Sequence, residues 1–205
     1  MNEPGYSENG GTGSARDFYM ESSFGQYEPM IDVYGPVVLP HEMKYYGAPS
    51  AGANDIRPAE MIRDACQLLD SEIDFSEYDL DQDGAIDNVY LFYAGYGQAD
   101  GGNVNTIWPH AWYVWQGARI MATFDGVQLD RYACSNEIQS GSNEMVGIGT
   151  FCHEFGHVLG LPDLYSASYS STEHPGNWTL MASGSYNNNG KTPPYFSAYE
   201  RYALG

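Results

Sequence analysis

The chain has 205 residues and a formal net charge of −19, from 27 acidic and 8 basic residues. That length suits one domain with a sizeable core, because 42% of residues are hydrophobic and 15% aromatic. The charge excludes a nucleic-acid partner, since phosphate recognition needs clustered positive charge and the only lysines are Lys44 and Lys191.

Residues 5–13 are Gly-rich and polar and read as a loop or surface arm. Ser14 is placed to cap a helix running through Phe24, with Ala15, Phe18 and Tyr19 among its buried positions. Tyr27 to Leu39 alternates like a strand until Pro36 interrupts it. Pro40 to Pro58 is an irregular connection. Ala59 to Ile73 is a helix that buries Met61, Ile62, Ala65, Leu68 and Leu69. Ile86 to Ala94 reads as a central strand, because neither of its faces is polar. A Gly-rich loop follows to Asn105, then an aromatic, irregular stretch to Trp115. Arg119–Phe124 and Val127–Cys134 flank Asp125-Gly126, a hairpin signal. Ile148, Phe151, Phe155, Val158 and Leu159 form an apolar helical stripe. Residues 166–177 are a polar loop, and Tyr195–Ala203 forms a last helix. This order predicts an α+β or α/β layer, with that striped helix under a mixed, mostly parallel sheet.

The striped helix carries the chemistry. His153-Glu154-Phe155-Gly156-His157 reads H-E-x-x-H. On a helix, residues four apart lie about 40° apart around the axis and about 6 Å along it, so both histidines can face one metal ion. Glu154 stands next to them as a general base. A continued helix would point Asp163 about 240° away from His157. Gly160 can take a left-handed conformation and Pro162 cannot continue a helix, so the chain bends and brings Asp163 back as a third ligand. Three protein ligands leave a tetrahedral zinc one open position, the mark of a catalytic site. Gly160, Pro162 and Asp163, each with its own geometric task, argue against a chance motif.

A second constellation, Asp79-Leu80-Asp81-Gln82-Asp83-Gly84-Ala85-Ile86-Asp87, reads D-x-D-x-D-G-x-x-D. Alternate carboxylates converge in such a loop, and Gly84 permits its sharp turn. Asp79, Asp81, Asp83 and Asp87 are therefore candidate ligands for Ca²⁺, a hard cation that prefers oxygen. The twelfth position is Tyr90, where an EF-hand has a bidentate Glu, so a complete EF-hand is excluded. The competing reading is a solvated Asp-rich turn. Cys66, Cys134 and Cys152 allow one bridge and a free thiol, or three free thiols. His41, His110 and His174 have no partner at metal-binding spacing and read as surface or packing residues. There is no apolar run long enough to cross a membrane and no N-terminal secretion signal in these residues.

GIGTFCHEFGHVLGLPDLY (147–165), NWTLMASGSY (177–186) and YFSAYERYALG (195–205) resemble the immune inhibitor A-like family of secreted bacterial zinc metalloproteases. GSARDFY, YDLDQDGAIDN, YAGYG, NTIWPH and DRYACS support the likeness, which covers most of the chain. The resemblance implies an α+β, metzincin-like catalytic domain spanning 1–205, with an upper lobe to about 160 and a lower lobe at 161–205. It implies a C-terminal Met-turn subdomain in which Met181 lies beneath the metal. Metzincins usually have a third His where this chain has Asp163, and the resembled family uses Asp. Ser183 occupies the place, two residues after Met181, where metzincins carry a tyrosine; Tyr186 follows nearby.

The expected protein is thus a secreted or cell-surface bacterial zinc endopeptidase. It is expected to act as a monomer on protein or peptide substrates, with Ca²⁺ as a second ion. Two rivals stand beside it: a protease-like binding module that keeps zinc for structure, and a zinc amidase acting on a non-protein amide.

Overall fold

The structure, a computed structural model, describes residues 1–47, 55–139, 143–165 and 174–205. They form two compact units: Met1–Asp32 with Met145–Gly205, and Val33–Glu144. Among the described residues no helix is long and apolar enough to cross a membrane.

In the first unit, helix α1 spans Ala15–Ser22. Ser14 caps it as expected: its hydroxyl accepts from the Asp17 amide, and the Asp17 carboxylate accepts from the Ser14 amide at 2.8 Å. This reciprocal box satisfies two amides that a helix start otherwise leaves open. The helix ends before Phe24, which takes φ +54° and lies exposed. Phe18 and Tyr19 are buried and meet Phe196 and Phe155 edge-on, at ring separations of 5.5 and 5.6 Å. The Tyr19 hydroxyl donates to the Cys152 carbonyl at 3.1 Å.

Tyr27–Leu39 forms no strand, against expectation. Val33 is 75% and Val38 92% exposed, while Ile31, Val37 and Leu39 are only half-buried, so the alternating pattern buries no complete face. Around Ile31, where a neighbouring strand would bond, the Asn2 side chain donates to its carbonyl and accepts from its amide.

In the second unit, helix α2 spans Met43–Gly47, inside the expected irregular connection; residues 48–54 of that connection lie outside the described residues. Helix α3 spans Pro58–Leu69, opened by Pro58, whose missing N–H costs nothing in the first turn. It buries Met61, Ile62 and Ala65 as expected, but Leu68 is 45% exposed. The chain turns after Leu69, and Ile73 and Phe75 enter the core from beyond the helix.

Strands β1 (Val89–Tyr96) and β2 (His110–Tyr113) precede a short helix α4 (Val114–Ala118). Strands β3 (Ala122–Phe124) and β4 (Val127–Leu129) make the expected hairpin, with Asp125 and Gly126 both at positive φ. Strand β5 (Arg131–Ile138) is separate from β4. The break falls at Asp130, whose carbonyl and carboxylate accept from the Val114 and Trp115 amides at the start of α4.

The main sheet is mixed, with strand order β1-β5-β2. β5 pairs parallel with β1 and antiparallel with β2. The expected central strand is therefore an edge, and Phe92 on it is 45% exposed. β5 takes the centre although its sequence includes Ser135 and Asn136, both fully buried. Asn136 offsets part of the cost of burial by donating through Nδ2 to Asp100 and to the Ile138 carbonyl, while its Oδ1 is buried without a hydrogen bond. Cys66, Cys134 and Cys152 are buried and form no disulfide, and burial pushes the Cys66 thiol up to about 12.

Candidate metal centre

Helix α5 spans Ile148–Val158 in the first unit. Its buried face is not the expected apolar stripe. Phe151 is buried, but Ile148, Phe155, Val158 and Leu159 are only half-buried, while Gly149, Gly156, His153 and Glu154 are enclosed. The helix lies directly on the backbone at Ser185 and Gly190 and on the side chain of Met181. A Cβ on Gly149 would stand 1.9 Å from the Ser185 carbonyl oxygen, and one on Gly156 would stand 2.7 Å from Met181 Sδ. The missing side chains of Gly149 and Gly156 are what let it dock here.

Gly160 takes φ +105°, and the Leu161 amide bonds back to the Gly156 carbonyl at 2.9 Å. The chain thereby leaves the helix where the sequence requires it to. Asp163 Oδ1 comes to 3.2 Å from His153 Nε2 and 3.3 Å from His157 Nε2. The donor atoms of all three lie within 4.8 Å of one another.

Hydrogen bonds on the far side of each ring fix which nitrogen faces this point. His153 Nδ1 bonds the Leu180 carbonyl at 2.9 Å, and His157 Nδ1 bonds the Leu161 carbonyl at 2.8 Å. A carbonyl can only accept, so Nδ1 carries the proton and the neutral ring turns an Nε2 lone pair toward Asp163. Two lone pairs and a carboxylate oxygen repel unless a cation or extra protons lie among them. A tetrahedral zinc with bonds of about 2.0–2.1 Å has ligand-to-ligand edges of about 3.3–3.4 Å. The two His–Asp separations match that edge, and the N,N,O donor set suits zinc.

Burial disfavours the charged form of both imidazoles, but Asp163, the Glu154 charge and the Leu180 and Leu161 carbonyls together raise them above their ordinary value. Burial likewise pushes Asp163 up, yet in the metal-free chain the two rings, when protonated at Nε2, hydrogen-bond it and hold it well below the usual carboxylate range. Glu154 is 6% exposed. Burial pushes its carboxyl up to about 7, against the pull of His153 and His157.

Tyr165 is absent from the sequence reading of the site. Its hydroxyl hydrogen-bonds Asp163, and burial together with that negative neighbour raises it above the ordinary tyrosine value. Met181 is fully buried, and its carbonyl accepts from the Leu164 amide at 2.8 Å. The orienting carbonyls of Leu161 and Leu180 were equally invisible, since every residue type carries one.

In the second unit, the carboxylates of Asp79, Asp81 and Asp83 also lie within 4.8 Å of one another. Loop amides aim them: Asp79 accepts from Asp83 and Gly84, Asp81 from Asp83, and Asp83 from Ala85. Gly84 takes φ +89°, as its turn demands. Asp87 does not share that group; it accepts from the Leu80 amide at 3.3 Å, and burial raises its carboxyl. The loop's exit is bound to β4 through Ile86 and Gln128. His41 stacks on Tyr45, His110 bonds the Trp108 carbonyl and the Tyr132 hydroxyl, and His174 accepts from the Gly176 amide.

The family model described as "Immune inhibitor A peptidase M6, catalytic domain" matches residues 2–204. Immune inhibitor A of Bacillus thuringiensis subsp. alesti is 29% identical over 212 residues, covering 89% of this chain and 30% of that protein. Pre-pro-metalloprotease PrtV of Vibrio cholerae serotype O1 (strain M66-2) is 29% identical over 220 residues, covering 93% of this chain and 23% of that protein. The chain thus spans less than a third of the length of these curated relatives.

Proposed function

Because the chain belongs to the immune inhibitor A peptidase M6 family, we propose that it is the catalytic domain of a zinc endopeptidase. The observation that carries this reading is the convergence of His153, His157 and Asp163 beside the buried Glu154. In this reading His153, His157 and Asp163 would hold the ion. Zinc supplies Lewis acidity, making water a nucleophile near neutral pH and polarising the scissile carbonyl. Glu154 takes the proton from the attacking water on its carboxylate and delivers it to the leaving amine. The Nδ1–H bonds to Leu180 and Leu161 keep both imidazoles in one tautomer and one orientation through the cycle. The proposal includes one catalytic domain over 1–205, a metzincin-like Met-turn at Met181, a monomer, and secretion or display at a bacterial cell surface. The match of the family model to residues 2–204 supports the single catalytic domain. Substrates in this reading are proteins or peptides, as the name of the Vibrio relative, a metalloprotease, suggests.

The purified chain is expected to contain one zinc, to cleave casein, to lose that activity to a chelator and to regain it with zinc. Unit zinc without cleavage of any peptide library would instead favour the binding module, and cleavage of cell-wall amides alone would favour the amidase.

We also propose that Asp79, Asp81 and Asp83 bind Ca²⁺, with Asp87 adding negative charge from the loop's end. The support is their shared focus, held by loop amides. At about 100 times the Kd, Ca²⁺ adds about 2.7 kcal/mol, or about 5–10 °C in Tm for a chain of this size. Asp81→Asn is expected to abolish the rise. A melting temperature unmoved at about 10 mM Ca²⁺ would leave only the solvated-turn reading.

A further inference from the structure

Helix α6 spans Ala198–Leu204 and opens with a capping box. The Ser197 hydroxyl accepts from the Glu200 amide at 3.3 Å, and Glu200 Oε2 accepts from the Ser197 amide at 2.5 Å. A box of this kind serves its own helix, and a carboxylate usually stays in water to do it. Glu200 is instead fully buried. Its other oxygen, Oε1, accepts from the Thr179 hydroxyl and, at 3.1 Å, from the Met181 amide.

The segment so gripped, 179–181, touches the metal centre from two sides. The Leu180 carbonyl takes the Nδ1–H of His153, and the Met181 carbonyl takes the amide of Leu164, the residue after Asp163. One carboxylate therefore ties down the segment that orients one ligand and anchors the chain beside another. Charge-assisted bonds to a buried carboxylate are short and directional, which suits them to hold a loop rigidly.

We propose that Glu200 is a positioning residue of the metal centre, acting through residues 179–181 on His153 and Asp163. This rests on the reading of His153, His157 and Asp163 as zinc ligands. Removing groups that orient metal ligands typically weakens metal binding about 10–100-fold. The grip on 179–181 uses Oε1 alone, so Glu200→Gln can keep it with its amide oxygen while losing the bond to Ser197. Ser197→Ala perturbs the same cap from its other side: it weakens the cap and leaves the grip intact.

The test measures zinc affinity of the folded chain by competition with a chromophoric chelator, and the visible spectrum of the Co²⁺-substituted chain. Glu200→Ala is expected to weaken zinc about 10–100-fold and to shift the Co²⁺ bands. Glu200→Gln and Ser197→Ala are expected to stay within a few-fold of wild type, with unshifted bands. Thr179→Val removes one donor to Glu200 and leaves the carboxylate in place, so it reports on the grip if Glu200→Ala fails to fold; several-fold weaker zinc is expected. Unchanged affinity in both Glu200→Ala and Thr179→Val overturns the proposal. Equal losses in Ser197→Ala and Glu200→Ala also overturn it, because the role would then be helix capping alone. A wild-type chain that binds no zinc overturns the metal-centre reading, and this inference with it.

Discussion

Glu154→Gln lowers kcat/KM on a peptide substrate by about 10²–10⁴-fold, the usual contribution of a positioned general base. That corresponds to about 2.7–5.4 kcal/mol of barrier. Glutamine has the same shape but cannot take a proton, so the loss isolates the proton transfer. Zinc content stays at one per chain, because Glu154 is not among the three converging donors. Stability moves the other way. Burial holds the Glu154 carboxyl near about 7 in the metal-free fold, against an ordinary value of 4.5. The folded state thus keeps a proton that the unfolded state releases between those values, and stability contributed by this group falls as pH rises through that window. In chelator, the variant should therefore gain on wild type from pH 5 to pH 8 in urea titrations. Activity within a few-fold of wild type, with zinc retained, would remove Glu154 from the proposed role.

Gly149→Ala is expected to destabilise the protein by more than about 3 kcal/mol. Two effects oppose each other at this position. Alanine is the better helix former by about 1 kcal/mol. Its Cβ, however, would stand 1.9 Å from the Ser185 carbonyl oxygen, a backbone atom that cannot rotate away. Overpacking of a rigid neighbour costs about 1–3 kcal/mol or more and often moves the backbone. Here the backbone that must move belongs to the segment under the metal helix, so zinc affinity falls together with stability. Gly156→Ala is the milder partner: it meets Met181 Sδ at 2.7 Å, the far end of a flexible side chain. Urea unfolding of both variants checks the ranking, and a Gly149→Ala protein as stable as wild type would refute the close docking of α5.

Much of the architecture was legible wherever a local cause sufficed. Ser14 and Asp17 form a helix cap because the box needs only neighbours three positions apart along the chain. Asp125-Gly126 turns a hairpin because both residues tolerate positive φ. Strand order was another matter. Ile86–Ala94 is the more hydrophobic segment, yet β5 lies between β1 and β2, and its polar Ser135 and Asn136 gave no sign of burial. Tyr27–Leu39 alternates as a strand does yet forms no strand, since a pattern specifies a face and not a neighbour.

The candidate site divides in the same way. By itself the sequence determined the donors: helical spacing aligns His153 and His157, and the break at Gly160 and Pro162 turns Asp163 back toward them. Those are consequences of backbone geometry within one short segment. Only the tertiary structure decided what holds the donors still. The carbonyl that orients His153 comes from Leu180, 27 residues away, and the carboxylate that grips that loop comes from Glu200. Which distant backbone docks against a helix depends on how whole surfaces fit, and no spacing along the chain encodes it.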